Sequence, residues 1–454
     1  MTDQTKFDLP LSFRSNEVKS IMDCIMAGDS CSIVGIGSVG KSNLLRFLQR
    51  EDIRQAQLGD EAEHYLFVYV DTNKMLKPNT WGLLELMLHQ VLIALENQQA
   101  DETKIQAIDD LHQRATDPDT RFLTLRYLDR ALGIVCNQLG LRLVFLIDEF
   151  DELCRTMSPR GFAALRALRD EFKYRLMYVV TTRLELKRLR DNISEIEAFE
   201  ELLSSYTVWL GPYSDEDARF MLGRVGARHE TFLDDKTIEQ ILTATGRHPG
   251  LLREAYQVAR QQPVDLIKTL AGRPSVQDES QRIWLSLTPD EQQAMVNLAN
   301  DAVVPPEQQE FVDRLHDKGL VSRSETKKSR LFSPAFAEYV KQQPFIVGAH
   351  INIDHKRHTV FVQGRQINSL TPLEFKLMAY LEKKRGQVCS RDELAEHLYP
   401  EDMAYDGSGV SDTRLDSVVK RLRKQIEPNS QEPRYILTVR GAGFRLVDGP
   451  ETDA

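Results

Sequence analysis

Two rhythms of apolar and polar residues alternate between positions 31 and 210. Short, nearly continuous apolar runs lie at 31–35, 66–71, 143–148, 176–182 and 206–210, as expected for parallel strands covered on both faces. Between them, 81–96 and 123–139 carry apolar residues at the three-to-four spacing of amphipathic helices. Strands alternating with helices predict an α/β domain with a parallel sheet. After Leu210 the strand rhythm stops. Ser214, with Asp217 three residues on, reads as a helix start, and helical periodicity continues to about Leu270. Thr288-Pro-Asp-Glu291 is a capping box with proline at the first helical position. A helix at 306–318, a hairpin around the polar turn 325–328 and a helix from Pro334 follow, the pattern of a winged helix. The last hundred residues open with strands at 351–354 and 359–362. Three helices, an Asp- and Gly-rich loop at 401–409 and a hairpin of 435–439 with 443–447 complete them.

Composition narrows this picture. A chain of 454 residues has room for about three domains, and 41% hydrophobic with 28% charged residues excludes wholesale disorder. No apolar run approaches the roughly 20 residues of a membrane helix, and the N-terminus carries no secretory signal. Five cysteines (Cys24, Cys31, Cys136, Cys154, Cys389) are scattered without C-x-x-C spacing, which disfavours a disulfide framework or a zinc site. A soluble, cytoplasmic protein without a membrane partner is expected. Net charge of −10 argues against nucleic acid as a partner, yet 414–445 holds eight basic residues against three acids. A local basic stripe, not the average, is what meets phosphate.

Gly35-Ile-Gly37-Ser-Val-Gly40-Lys41-Ser42 fits G-x-x-x-x-G-K-[ST] between a strand and the apolar helix that begins at Asn43. Glycines let backbone N–H groups converge on phosphate, and the helix N-terminus adds favourable partial charge. Lys41 is expected to bridge the β- and γ-phosphates and Ser42 to ligate Mg²⁺. The run 143–148 ends in Asp148-Glu149, placing one carboxylate in the Mg²⁺ shell and one beside the attacking water. Asp151 and Glu152 read as solvated helix-start acids. Val179-Val-Thr-Thr182-Arg183 brings hydroxyls and a guanidinium to a strand end, within reach of a γ-phosphate. Gly246-Arg247-His248-Pro249-Gly250 is a tight turn in which His248 or Arg247 meets the nucleotide, or which only shapes the chain.

In this motif order, with a Phe13-Arg14 entry, residues 12–275 resemble a STAND or AAA+-type P-loop ATPase with its helical lid. The T-T-R ending is similar to that of NB-ARC proteins, and the G-x-H-P turn to that of origin-recognition ATPases. The resemblance implies an N-terminal segment 1–29, an ATPase core 30–211, a lid 212–275 and a winged helix 276–345. It implies ATP/ADP with Mg²⁺ as cofactors. It also implies that Glu149, Lys41 and Arg183 serve turnover, while Gly35, Gly37, Gly40, Lys41, Ser42, Asn43, Asp148, Thr182, Arg183, His248 and Pro249 hold the nucleotide.

The C-terminal hundred residues carry a second chemistry. In the third helix, expected over 410–426, Leu415, Val419, Leu422 and Ile426 form a buried stripe. Thr413, Ser417, Lys420, Arg421 and Lys424 fall opposite, on a small, polar, cationic face suited to a DNA major groove. LTPLEFKLMAYL, SRDELAEHLY, RLRKQI and the terminal RYILTVRGAGFR closely resemble OmpR/PhoB-type output domains along 346–447, leaving 448–454 as a tail. By that resemblance Arg440 in the wing meets a minor groove or phosphate. Val418 stands where many such domains carry a polar base-reading residue.

The expected fold class is therefore an α/β P-loop NTPase with a parallel sheet, a helical lid and two winged-helix domains. The expected function is an ATP-controlled transcription regulator. A DNA-assembling ATPase of a mobile element or replication system, and a defence-type STAND switch that autoregulates its operon, stand as alternatives. Double-stranded DNA, a second copy of the chain, and RNA polymerase or another effector protein are the expected partners.

Overall fold

A computed structural model describes residues 9–75, 77–190, 192–261, 265–302, 304, 306–323, 329–343, 351–355, 359–362, 365–367, 370–399, 412–427, 429–439 and 441–447. The chain divides into two compact units. One comprises 1–287 with 309–340, the other 288–308 with 341–454.

The first unit is built on five strands: β1 (Cys31–Gly35), β2 (Tyr65–Asp71), β3 (Arg142–Asp148), β4 (Leu176–Thr182) and β5 (Thr207–Leu210). They lie in the order β2-β3-β4-β1-β5 and every pairing is parallel. All residues of β1 and β4 are buried, which is why these segments read as unbroken apolar runs. Leu83, Met87, Val91 and Leu95 of the helix Thr80–Asn97 recur every four residues and are fully buried in the core beside β2 and β3. Elsewhere in that core Phe150, Phe162, Tyr178 and Phe199 form an aromatic cluster with centroids 5.6–6.4 Å apart. The single helix expected over 123–139 is three pieces: a 3₁₀ turn, an α-helix Thr124–Gly133 and a π segment Ile134–Gln138. Gly133 followed by β-branched Ile134 and Val135 weakens the α preference where the register slips.

The lid helices Asp215–Arg228, Asp235–Thr245 and Pro249–Ala259 begin after side-chain caps from Ser214, Asp234 and His248. The turn between the last two needs glycine: Gly246 has φ +56°, and a Cβ there would meet the Phe332 carbonyl at 2.3 Å. The helix Pro274–Trp284 follows. The antiparallel pair Val321–Arg323 with Ser329–Leu331 joins this unit through Ser333, whose Oγ donates to the Ala244 carbonyl (2.8 Å). The expected turn 325–328 lies outside the described residues.

The second unit contains the helix Pro289–Ala299, with both halves of its capping box formed, and the C-terminal module. In that module a three-stranded antiparallel sheet (Ile351–Asp354, Thr359–Val362, Arg365–Ile367) precedes helices Pro372–Lys383, Arg391–Leu398 and Asp412–Ile426. A second sheet pairs Val388–Cys389 and Ile436–Val439 with Gly443–Leu446. One apolar cluster, including Leu377, Leu381, Leu394, Val419, Leu422 and Phe444, joins both sheets to the three helices. This is a winged helix. The expected loop 401–409 lies outside the described residues.

Candidate functional site

The loop after β1 leaves the sheet where β1 stands between β4 and β5, at the carboxyl ends of the strands. Open parallel sheets gather ligands there. Glycine is required at both ends of this loop: a Cβ on Gly35 would come within 2.9 Å of Val39, and Gly40 has φ +102°. Gly40 precedes the helix Lys41–Leu48 and offers no side-chain cap, so the first helical N–H groups keep their capacity for an external acceptor. Lys41 is 5% exposed, and its Nζ donates to the Gly35 carbonyl at 2.9 Å. Burial lowers its pKa, while the charges of Glu149 and Asp151 act in the opposite direction.

β3 brings Asp148 to the same end of the sheet. Its carboxylate is 1% exposed and well supplied with donors. Oδ1 accepts from Thr181 Oγ1 (2.7 Å) and the Glu149 N–H (3.1 Å), and Oδ2 accepts from the Tyr69 hydroxyl (2.7 Å). Burial, then the bond to Asp148, raises the Tyr69 pKa, so the phenol stays protonated as donor. Glu149 takes a left-handed backbone conformation (φ 54°), uncommon for a non-glycine residue, with its N–H also held by Thr181 Oγ1 (3.1 Å). Its Oε2 meets Arg183 Nη2 at 3.3 Å. Lys41, Ser42, Asn43, Gly40 and Glu149 line one cleft of about 720 Å³, together with Pro249 from the lid turn. Phe13, Phe47 and Tyr213 supply an aromatic part of its wall, and Arg46, Arg224, Arg228 and Arg253 add cations.

The structure corrects the expectation for Asp151 and shows what Thr181, Thr182 and His248 touch. Of the two hydroxyls at the end of β4, that of Thr181 bonds Asp148. Successive strand residues face opposite sides of a sheet, and Thr182 Oγ1 is buried without a hydrogen-bond partner. Asp151 is not solvated: it is 7% exposed, and both its carboxylate oxygens accept the Arg183 N–H (3.0 and 3.2 Å). His248 is fully buried and both ring nitrogens are engaged within the protein. Its Nε2 bonds the Gly37 carbonyl (3.1 Å), and its Nδ1 accepts from the Leu251 N–H (3.4 Å), so it braces the phosphate loop from behind.

Sequence reasoning missed Tyr69 and saw Thr181 only as part of the T-T-R segment, because each meets Asp148 from another strand. Arg14 was noted only as an entry motif. Its Nη2 donates to the carbonyls of Val39 (2.9 Å) and Gly211 (3.0 Å), and its backbone N–H to Asp217 (3.3 Å). It thereby ties the loop to the end of β5 and to the lid. Arg224 and Arg228 share a helix face four residues apart, the one periodic signal that would have marked them.

In the second unit, helix Asp412–Ile426 buries Leu415, Val418, Val419, Leu422 and Ile426. Val418 is 1% exposed and belongs to the core, not to the position of a base-reading side chain. Ser417, Lys420, Arg421 and Lys424 are exposed together on the opposite face. Arg421 Nε also reaches Glu374 Oε1 (3.1 Å), a carboxylate whose other oxygen accepts the Thr371 N–H (2.8 Å). The Thr413 side chain and the whole of Arg440 lie outside the described residues.

Residues 364–446 match the family model described as "Transcriptional regulatory protein, C terminal". DNA-binding response regulator MtrA of Mycolicibacterium smegmatis is 44% identical over 96 residues, covering 21% of this chain and 39% of MtrA. Protein PetR of Rhodobacter capsulatus is 40% identical over 85 residues, covering 19% of this chain and 36% of PetR. The chain thus spans about two fifths of the length of the curated relatives it matches. Among solved structures, the Walker-type ATPase PABY2304 of Pyrococcus abyssi is 17% identical with TM-score 0.43, covering 74% of this chain and 96% of that one. The ORC2 protein of Aeropyrum pernix, solved as ADPNP–ADP complexes, is 15% identical with TM-score 0.43, covering 75% and 97%. The RstA DNA-binding domain of Klebsiella pneumoniae, in complex with the RstA box, is 28% identical with TM-score 0.20, covering 23% of this chain and 96% of that one. After a parallel α/β unit that carries the G-x-x-x-x-G-K-S loop, the chain continues into residues 364–446, which match the transcriptional regulatory protein C-terminal family.

Proposed function

We propose that this protein is an ATP-binding, ATP-hydrolysing switch that controls sequence-specific binding of double-stranded DNA and acts as a transcription regulator. The observation that carries the reading is the convergence of Lys41, Ser42 and Glu149 on one cleft, with Arg183 held on Glu149 at its edge. Lys41 neutralises phosphate charge, and the uncapped N-terminus of its helix supplies N–H donors. Glu149 orients the attacking water. Ser42 and Asp148 suit Mg²⁺, which keeps most of its water and takes few protein oxygens. Bound Mg²⁺ would neutralise charge on the transferring phosphoryl group. Arg183 pairs with either Glu149 or a γ-phosphate, so its ion pair distinguishes the triphosphate from the diphosphate state. The aromatic wall of Phe13, Phe47 and Tyr213 accepts the base.

On the DNA side, Ser417, Lys420, Arg421 and Lys424 enter the major groove. Coupling between the two sites is worth about 1–3 kcal/mol if it follows ordinary allosteric proteins. The test is a gel shift on selected DNA with and without ATP and Mg²⁺. Affinity should change about 5- to 150-fold on one sequence and not on scrambled DNA. Binding that coats DNA irrespective of its sequence, only when ATP is present, would instead identify a DNA-assembling ATPase.

A further inference from the structure

Gly37 sits in the phosphate loop with both backbone groups taken by side chains from outside the nucleotide-binding core. Its carbonyl accepts from His248 Nε2, and its N–H donates to Ser286 Oγ at 2.8 Å. Ser286 is 1% exposed, so water does not substitute for the contact. The same hydroxyl donates to the Arg282 carbonyl (2.7 Å), which fixes its direction two residues past the end of the helix Pro274–Trp284. Packing holds the two segments together as well: a Cβ on Gly37 would lie 2.9 Å from the Arg282 carbonyl and 3.1 Å from Ser286 Oγ. Two residues after Ser286, at Thr288, the chain enters the second compact unit.

We infer that Ser286 is a positioning residue of the phosphate loop and the point at which the loop's state is passed to the chain leading into the second unit; the latter half rests on the nucleotide reading above. The physical reason is that one donor faces two claims. The loop's N–H groups are what phosphate recruits, and the Gly37 N–H donates to a serine of the segment that leads into the second unit. A loop that closes on phosphate bends Gly37 away from Ser286 and releases segment 282–288. With the loop empty, the bond holds that segment to the core. A buried hydroxyl bonded on both sides resists small displacements, because breaking either bond leaves a buried polar group unpaired.

Amide hydrogen exchange on the full chain tests this. In nucleotide-free protein, Ser286→Ala should raise exchange across 35–40 about three- to tenfold, the range expected for loss of one net hydrogen bond. Ser286→Thr, which keeps the hydroxyl, should restore the parent rate. Adding ATP and Mg²⁺ to the parent should slow exchange across 38–42 and speed it across 282–288. In Ser286→Ala, exchange across 282–288 should already be fast and no longer respond. Parent-like exchange across 35–40 in the alanine variant overturns the positioning role. An equal response of 282–288 in parent and variant overturns the transmission. If nucleotide leaves 38–42 of the parent unchanged, the nucleotide reading and the transmission fall together, while the ligand-free comparison still decides the positioning role.

Discussion

At the scale of single residues, the phosphate loop is defined as much by what lies behind it as by what faces the cleft. His248 is the clearest case. Its complete burial depresses the pKa from 6.5 to about 3, and Arg14 nearby acts in the same direction against the weaker effect of the Gly37 bond. The folded state therefore keeps the ring neutral where the unfolded chain takes up a proton. The unfolded state binds more protons between pH 6.5 and 3, so stability rises with pH across that window and falls as the medium is acidified. From pH 7.5 to pH 5 the loss from this group alone is about 2 kcal/mol. Urea unfolding of the first unit across that range should show it. His248→Asn should be less stable at pH 7.5 but with a flatter pH dependence. An unchanged slope in the variant would place the acid sensitivity elsewhere.

At the scale of elements, the helix Asp412–Ile426 divides its cations between two duties. Lys420 and Lys424 are exposed, whereas Arg421 is also bonded to the buried Glu374 of a capping box. Lys420→Ala with Lys424→Ala should weaken DNA binding and reduce the slope of log affinity against log salt by about two, with exchange protection of 372–383 unaltered. Arg421→Ala should weaken DNA binding and also loosen that helix, by about 1 kcal/mol after allowing for its half-exposed guanidinium. A gel-shift salt series beside hydrogen exchange separates the two. The strands and helix caps were legible because local chemistry specifies them. Strands 31–35 and 176–182 match the observed bounds, and the capping box Thr288–Glu291 forms. The short strands Arg365–Ile367 and Val388–Cys389 were not legible, since their pairing partners, not their composition, make them strands. Lys41, Asp148 and Glu149 could be read as a set from motif order. The roles of Tyr69, Thr181 and Ser286 could not, because each hydrogen bond spans between 33 and 249 positions and leaves no local pattern.

At the scale of the whole molecule, binding and turnover at the cleft should have separable outputs. On the proposed function, Lys41→Ala removes a cation from the phosphate site and should bind ATP at least tenfold more weakly. Glu149→Gln keeps the shape of the cleft and should bind ATP as tightly as the parent, yet hydrolyse it at least a hundredfold more slowly, because water positioning acts in the transition state. With protein levels matched, the two variants should shift a reporter promoter in opposite directions. Equal output from both variants and the parent would leave the P-loop unit as a scaffold.

The chain passes between its two compact units three times, at 287/288, 308/309 and 340/341. That threading sets an order of events during synthesis. The lid turn at Gly246 fits against the Phe332 carbonyl, and Ser333 bonds the Ala244 carbonyl, so the first unit lacks part of its packing until residues beyond 330 have left the ribosome. By then 288–308, which belongs to the other unit, is already made and waits for 341–454. A nascent chain halted near residue 290 would expose the back of the lid turn, a surface for chaperones to hold. The same threading means that no single cut frees both units intact: a cut at 287/288 or 308/309 takes 309–340 from the first unit, and a cut at 308/309 or 340/341 parts 288–308 from 341–454.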